Sequence, residues 1–197
     1  MKEIQKTATY KGFEVYSGPK ADEGLIKPMI DWMINAIEVV KREHRRPIAF
    51  HLILDEPDLE KLEDLPALLK RFAKSRRKDE QHSETIYYIL AHEVRPRNKQ
   101  RHAHLWVFCD NFLSLERNML IDKLRRSGYA KNVKLAMRKR SLFPADWKGN
   151  PWFHSVRVEP EDLILRASYI TKHATKTEEK RRRWSASVLP KLETQGI

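Results

Sequence analysis

Cysteine is all but missing from this sequence. A single residue, Cys109, excludes an internal disulfide and any zinc cage built from paired cysteines. Long apolar runs are missing too: stretches such as Ile86 to Ala91 fall far short of the roughly 20 residues that a membrane-spanning helix needs. The N-terminus, MKEIQKTATYKGFE, has no apolar signal core. Glycine is scarce, 6 residues against 10 prolines, and no repeat or low-complexity tract interrupts the chain. These absences lead us to expect a cytoplasmic protein with no membrane partner.

What is present is enough for one core. A chain of 197 residues with 41% hydrophobic content can bury a single good interior with at most a short appendage. We divide it into a polar N-terminal segment (1–22), one domain (23–190) and a C-terminal tail (191–197). The formal charge is +12, unevenly spread: residues 1–111 carry 20 Lys+Arg against 18 Asp+Glu, and residues 112–197 carry 19 against 9. A basic half suggests a polyanion laid across one side, with nucleic acid as the leading partner. Charge alone is equally well explained by a solubilising surface.

Residues 24–45 carry Leu25, Met29, Trp32, Met33, Ala36, Ile37 and Val40 at helical spacing, with Pro28 tolerated in the first turn. After Pro47, residues 48–54 read as a strand. Asp55-Glu56-Pro57-Asp58 reads as the start of a second helix running to Arg77, kinked or split at Pro66. A hairpin spans Ile86–Asn111, and residues 114–127 form a third helix. Residues 128–150 are the least regular part, with Lys131, Lys134, Arg138, Lys139 and Arg140 beside Phe143 and Trp147. Basic residues beside aromatics suit phosphate contact with base stacking, and a solvated loop with tucked-in aromatics fits equally well. Residues 152–158 alternate as a strand, and Pro160 opens a last helix, EDLILRASYITKHATK. This order predicts an α+β fold with a ferredoxin-like, partly antiparallel sheet and helices packed on it.

The chemistry concentrates in the hairpin. Side chains alternate along a strand, so His102, His104, Trp106 and Phe108 share one face. Two imidazoles so placed can grip one metal ion, and Glu93 on the opposing arm can add a carboxylate, giving a His-His-Glu site. The plainer alternative is a hydrogen-bonded histidine pair with Glu93 matched to Arg101. His92 points the other way, and His51 is a spectator or a substitute ligand. In the last helix, Tyr169 has Arg166 at i−3, Lys172 at i+3 and His173 at i+4 on one face. A phenol near a metal and cations can act as a nucleophile on phosphorus, with the lysine offsetting charge. Taken alone, Tyr169 reads more simply as half-buried packing.

Together these residues resemble a known family. HAHLWVF is similar to the His-hydrophobic-His element of HUH endonucleases, and YITK to their Tyr-x-x-Lys motif. The resemblance is closest to the replication proteins of filamentous phages (inoviruses) and covers roughly Ile34 to Pro190, including PIAFHLILDEP, AHEVRPRNKQRHAH and the later RRRWSAS. It implies His102, His104 and Glu93 as ligands of Mg²⁺ or Mn²⁺, Tyr169 as nucleophile and Lys172 as its helper. It further implies nicking and joining of single-stranded or hairpin DNA at an origin through a 5′-phosphotyrosine, initiating rolling-circle replication of a phage or prophage-like element. Candidate DNA contacts are Lys131, Lys134, Arg138, Lys139, Arg140, Arg166 and Lys176. Because the chain stops soon after the tyrosine helix, a host helicase and polymerase are expected. Histidines preceding the tyrosine argue against a conjugative relaxase. REP-associated tyrosine transposases share the order and are the near alternative. Ala103 is smaller than the residue usual in this motif, a matter of packing. Two other readings are a non-catalytic DNA-binding module on the same fold and a metalloenzyme acting on a small phosphoester or a ribonucleotide.

Overall fold

A computed structural model of the chain describes residues 7–16, 26–75, 85–95, 98–110, 114–137, 149–171 and 184–191. The first element is a hairpin, β1 (Thr7–Tyr10) and β2 (Phe13–Tyr16), turned at Lys11 (φ 48) and Gly12 (φ 83). Two left-handed residues give a tight turn whose twist matches the strands it joins. Helix α1 (Lys27–Glu43) follows, with Pro28 in its first turn as its fixed φ allows. It buries Met29, Ile30, Met33, Ala36, Ile37, Val39 and Val40, a wider face than the expected stripe. Trp32 is only half-buried, and its indole N–H donates to the Ser187 carbonyl at 2.8 Å.

Strand β3 (Pro47–Pro57) runs through Asp55, where a helix start was expected. It is paired on both edges there, and those ladder bonds outweigh the local helix-start signal. Asp58 instead stops the strand, accepting the N–H groups of Glu60 and Lys61. A 3₁₀ turn (Lys61–Asp64) leads into α2 (Leu65–Ser75), so Pro66 falls in a first turn, at the expected split. The hairpin is β4 (Tyr87–Val94) and β5 (Arg101–Asp110), followed by α3 (Ser114–Arg126).

Three later strands also differ from expectation. The supposedly irregular basic stretch contains β6 (Ala130–Leu135), an edge strand with few apolar residues of its own, recruited by pairing with β3. Residues 152–158 yield only β7 (His154–Ser155), because the chain turns at Ser155 into α4 (Pro160–Ala167). Strand β8 (Trp184–Ala186) adds to β4 from beyond the last helix. Helix α4 itself is shorter than expected: Ser168–Thr171 form a 3₁₀ turn, so Tyr169 stands on that turn.

The architecture is α+β with a mostly antiparallel sheet. Among the described residues its strand order is β6-β3-β5-β4-β8, with β7 also on β3, and each of these pairings is antiparallel. Both faces are covered. Leu52, Leu54, Leu90, Leu105 and Val107 pack against α2 and α3, while Ala49, Ile89, Trp106 and Phe108 pack against α1 and α4. Burying each large apolar side chain stabilises the fold by about 1.5–3 kcal/mol. The β1–β2 hairpin joins the second core through Val15, and Tyr16 N–H donates to Ser168 Oγ at 2.7 Å. No helix among the described residues is long and apolar enough to cross a membrane.

Candidate metal centre

Register decides which side chains meet. Residues directly opposite on paired strands point to the same face, and Glu93, His102, Asp55 and Asn132 face one another across β4, β5, β3 and β6. One step further in, the row reads Ala91, His104, Ile53 and Lys134, and the next holds Ile89, Trp106 and His51. All of these lie on the α1/α4 face. The alternation expected from sequence therefore puts both imidazoles and the glutamate at one end of that face.

Glu93, His102 and His104 are all buried, at 2%, 8% and 6% exposure. Glu93 Oε2 lies 3.4 Å from His102 Nε2 and 3.3 Å from His104 Nε2, and one ligand atom from each residue falls within 4.8 Å of the others. Cis ligands of an octahedral ion at about 2.1 Å lie about 3 Å apart, so the spacing suits a small divalent cation. The chemistry agrees. A carboxylate and two imidazole nitrogens converging out of water repel unless a proton or a cation sits among them. These residues form a buried group able to hold a metal ion.

His104 has a partner behind it. His51 Nε2 lies 2.8 Å from His104 Nδ1, and the His51 ring stacks on Trp106 at 4.8 Å with planes 6° apart. Burial, and then the nearby His104 and His154 imidazoles, hold His51 well below the ordinary imidazole range. If His104 Nδ1–H donates to His51, His104 Nε2 is left as a lone pair facing Glu93, the tautomer a metal ligand requires. His51 is thus a direct hydrogen-bonding neighbour of His104.

Tyr169 lies above this group, its ring 5.9 Å from that of His104 and 70° to it, and 37% exposed. The turn bearing it is tied from two sides: Ser168 to β2 through Tyr16, and Thr171 to α1, whose Ile26 N–H donates to the Thr171 carbonyl at 2.7 Å. The Tyr16 ring lies 5.4 Å from Tyr169. Arg166 turns away toward Asp162, to which its Nε donates at 2.9 Å; Asp162 also meets His154 Nδ1 at 3.2 Å. Burial alone raises the Asp162 carboxyl, but the His154 and Arg166 hydrogen bonds outweigh that and bring it down to about 2.

The expected DNA contacts fare differently. Lys134 Nζ pairs with Asp55 at 2.6 Å, Lys131 with Glu56 at 3.3 Å, and Arg166 with Asp162. Lys172, Arg138, Lys139, Arg140 and Lys176 lie outside the described residues, as do Phe143, Trp147 and His173. Sequence reasoning passed over Asp55 and Arg95, which meet at 2.7 Å, and over His154. The signal for Asp55 was its shared parity with His51 on β3. No family model, curated protein or solved structure matches the chain.

Proposed function

We propose that the protein is a metal-dependent endonuclease and strand transferase that nicks and rejoins single-stranded DNA through Tyr169, on a ferredoxin-like fold of the HUH type. The observation carrying this reading is the Tyr169 ring beside His104, 5.9 Å from it, over a buried Glu93–His102–His104 group. A divalent ion, Mg²⁺ or Mn²⁺, held by those three side chains would supply Lewis-acid polarisation of a phosphodiester. Glu93 offers the anionic ligand, His102 and His104 the neutral ones, and His51 holds His104 in orientation. The Tyr169 hydroxyl attacks phosphorus: its oxygen forms a P–O bond, the P–O3′ bond breaks with its electron pair going to O3′, and the phenolic proton leaves for solvent while O3′ takes one up from solvent. A 5′-phosphotyrosine and a free 3′ hydroxyl result, and the reverse exchange rejoins a strand because the linkage energy is kept. Such a 3′ end would prime rolling-circle replication of a phage-like element, with helicase and polymerase supplied by the host.

Incubation with Mn²⁺ and a labelled library of hairpin and single-stranded oligonucleotides tests it. A covalent protein–DNA adduct is expected, absent in Tyr169→Phe and in the His102→Ala/His104→Ala double variant, whose circular dichroism stays native. Mn²⁺ binding without an adduct from any substrate would refute the nuclease reading and leave a metal-binding α+β protein.

A further inference from the structure

A second charged group adjoins the triad. Asp55 stands opposite His102 in the same transverse row, on the same face, and is 7% exposed. Its two oxygens are each taken by a different cation. Arg95 Nη2 donates to Oδ1 at 2.7 Å, and Lys134 Nζ donates to Oδ2 at 2.6 Å. The cations come from opposite sides: Arg95 follows the end of β4, and Lys134 is on β6. Since β5 lies between β4 and β3, the Arg95 side chain crosses the end of β5, where His102 sits, to reach Asp55.

We propose that Asp55 gathers Arg95 and Lys134 into a phosphate subsite beside the Glu93–His102–His104 group, which takes the phosphodiester flanking the one being exchanged. This rests on the nuclease reading above. Three observations support it. One carboxylate balances one cation, so the cluster retains a positive charge, whereas the nearby Lys131–Glu56 pair is one-to-one. The anchor is buried, yet the Arg95 and Lys134 side chains are 42% and 58% exposed, leaving donors to face a ligand. Finally, Arg95 is fixed in place: its Nη1 donates to Gln100 Oε1 at 3.2 Å, and its backbone N–H donates to the Gln100 carbonyl at 2.9 Å. A guanidinium held as a fork and an ammonium beside it suit the oxygens of a phosphodiester. Neighbouring strands are about 4.8 Å apart, so metal group and subsite are neighbours along one strand of nucleic acid.

The decisive variant is Asp55→Asn. If net charge alone governed binding, removing this negative charge would tighten the grip on a polyanion. If Asp55 positions the two cations, the same change weakens it. Binding of a fluorescent single-stranded oligothymidylate is measured by anisotropy across a salt series, in the Tyr169→Phe background. Arg95→Gln and Lys134→Gln should each lower the salt slope by about 0.7 and weaken binding about fivefold at 0.1 M salt. Asp55→Asn should weaken binding as well, with an unchanged Mn²⁺ affinity showing that the fold and the triad persist. Lys41→Gln, on α1 and paired with Glu38, controls for a remote charge change. Asp55→Asn binding as tightly as its parent, or Arg95→Gln and Lys134→Gln leaving the slope unmoved, would overturn the subsite. Adduct formation by the wild-type chain is scored separately: its absence sinks the nuclease reading, while its presence with unmoved slopes sinks the subsite alone.

Discussion

Replacing His51 probes how the candidate metal group is held. The His51 ring does two things: it meets His104 Nδ1 through Nε2 at 2.8 Å and it stacks on Trp106. Phenylalanine keeps the stack and deletes the hydrogen bond, so the His51→Phe variant separates orientation from packing. Loss of such an outer partner costs a metal ligand about 10–100-fold in affinity, or about 1.4–2.7 kcal/mol. Two of the candidate ligands, Glu93 and His102, are untouched by the change, so the effect falls on affinity without abolishing it. Titration of free Mn²⁺ by electron paramagnetic resonance measures this directly, with His51→Gln expected to recover part of the loss because its amide oxygen accepts a hydrogen bond. Urea denaturation in chelator should show a smaller stability change for His51→Phe than for a variant that removes the ring. Mn²⁺ affinity within twofold of wild type in His51→Phe would refute the idea that His51 sets the His104 tautomer.

Trp106 is 2% exposed and supports His51 from below; Trp106→Ala should cost about 3–5 kcal/mol in urea denaturation and weaken Mn²⁺ binding with it. Asp162 gives an acid-range signature. Its folded-state pKa is depressed to about 2, so its contribution of about 2 kcal/mol is fully present above the unfolded value near 4 and is lost as pH falls through about 2. Denaturation midpoints measured from roughly pH 5 to 2 should show that loss, and Asp162→Asn should remove it from the acid slope.

The hairpin was legible from sequence because its information is local. Strict alternation in HAHLWVF puts His102, His104, Trp106 and Phe108 on one side whatever the partner strands are. Helix α1 was legible for the same reason, through spacing. What escaped notice depended on partners distant in sequence. Strand β6 offers two buried residues, Ala130 and Val133, in six, and only the edge of β3 makes it a strand. Asp55-Glu56-Pro57-Asp58 carries a real helix-start signal, shifted three residues by pairing on both sides of β3. Asp55 and His51 share a parity that sequence shows, but their nearness to His102 and His104 follows from β3 lying against β5, fifty residues on, which no local pattern encodes.

The site sits where it does because one alternation serves two environments. Along the inward face of β5, Phe108 and Trp106 lie under α1 and α4, and the same face continues to His104 and His102. Helix α4 ends at Ala167, and a 3₁₀ turn carries the chain over this boundary. Within that turn Ser168, Ile170 and Thr171 are buried, whereas Tyr169 is 37% exposed. A tighter turn eclipses residues three apart, which puts Ser168 and Thr171 together on the buried side, and Tyr169 is the one side chain of the turn left exposed. An α-helix continued through 171 would rotate Tyr169 relative to its neighbours and loosen the ties from Tyr16 and Ile26 that meet at Ser168 and Thr171. The turn, more than the identity of the helix before it, is therefore what brings the phenol ring to His104.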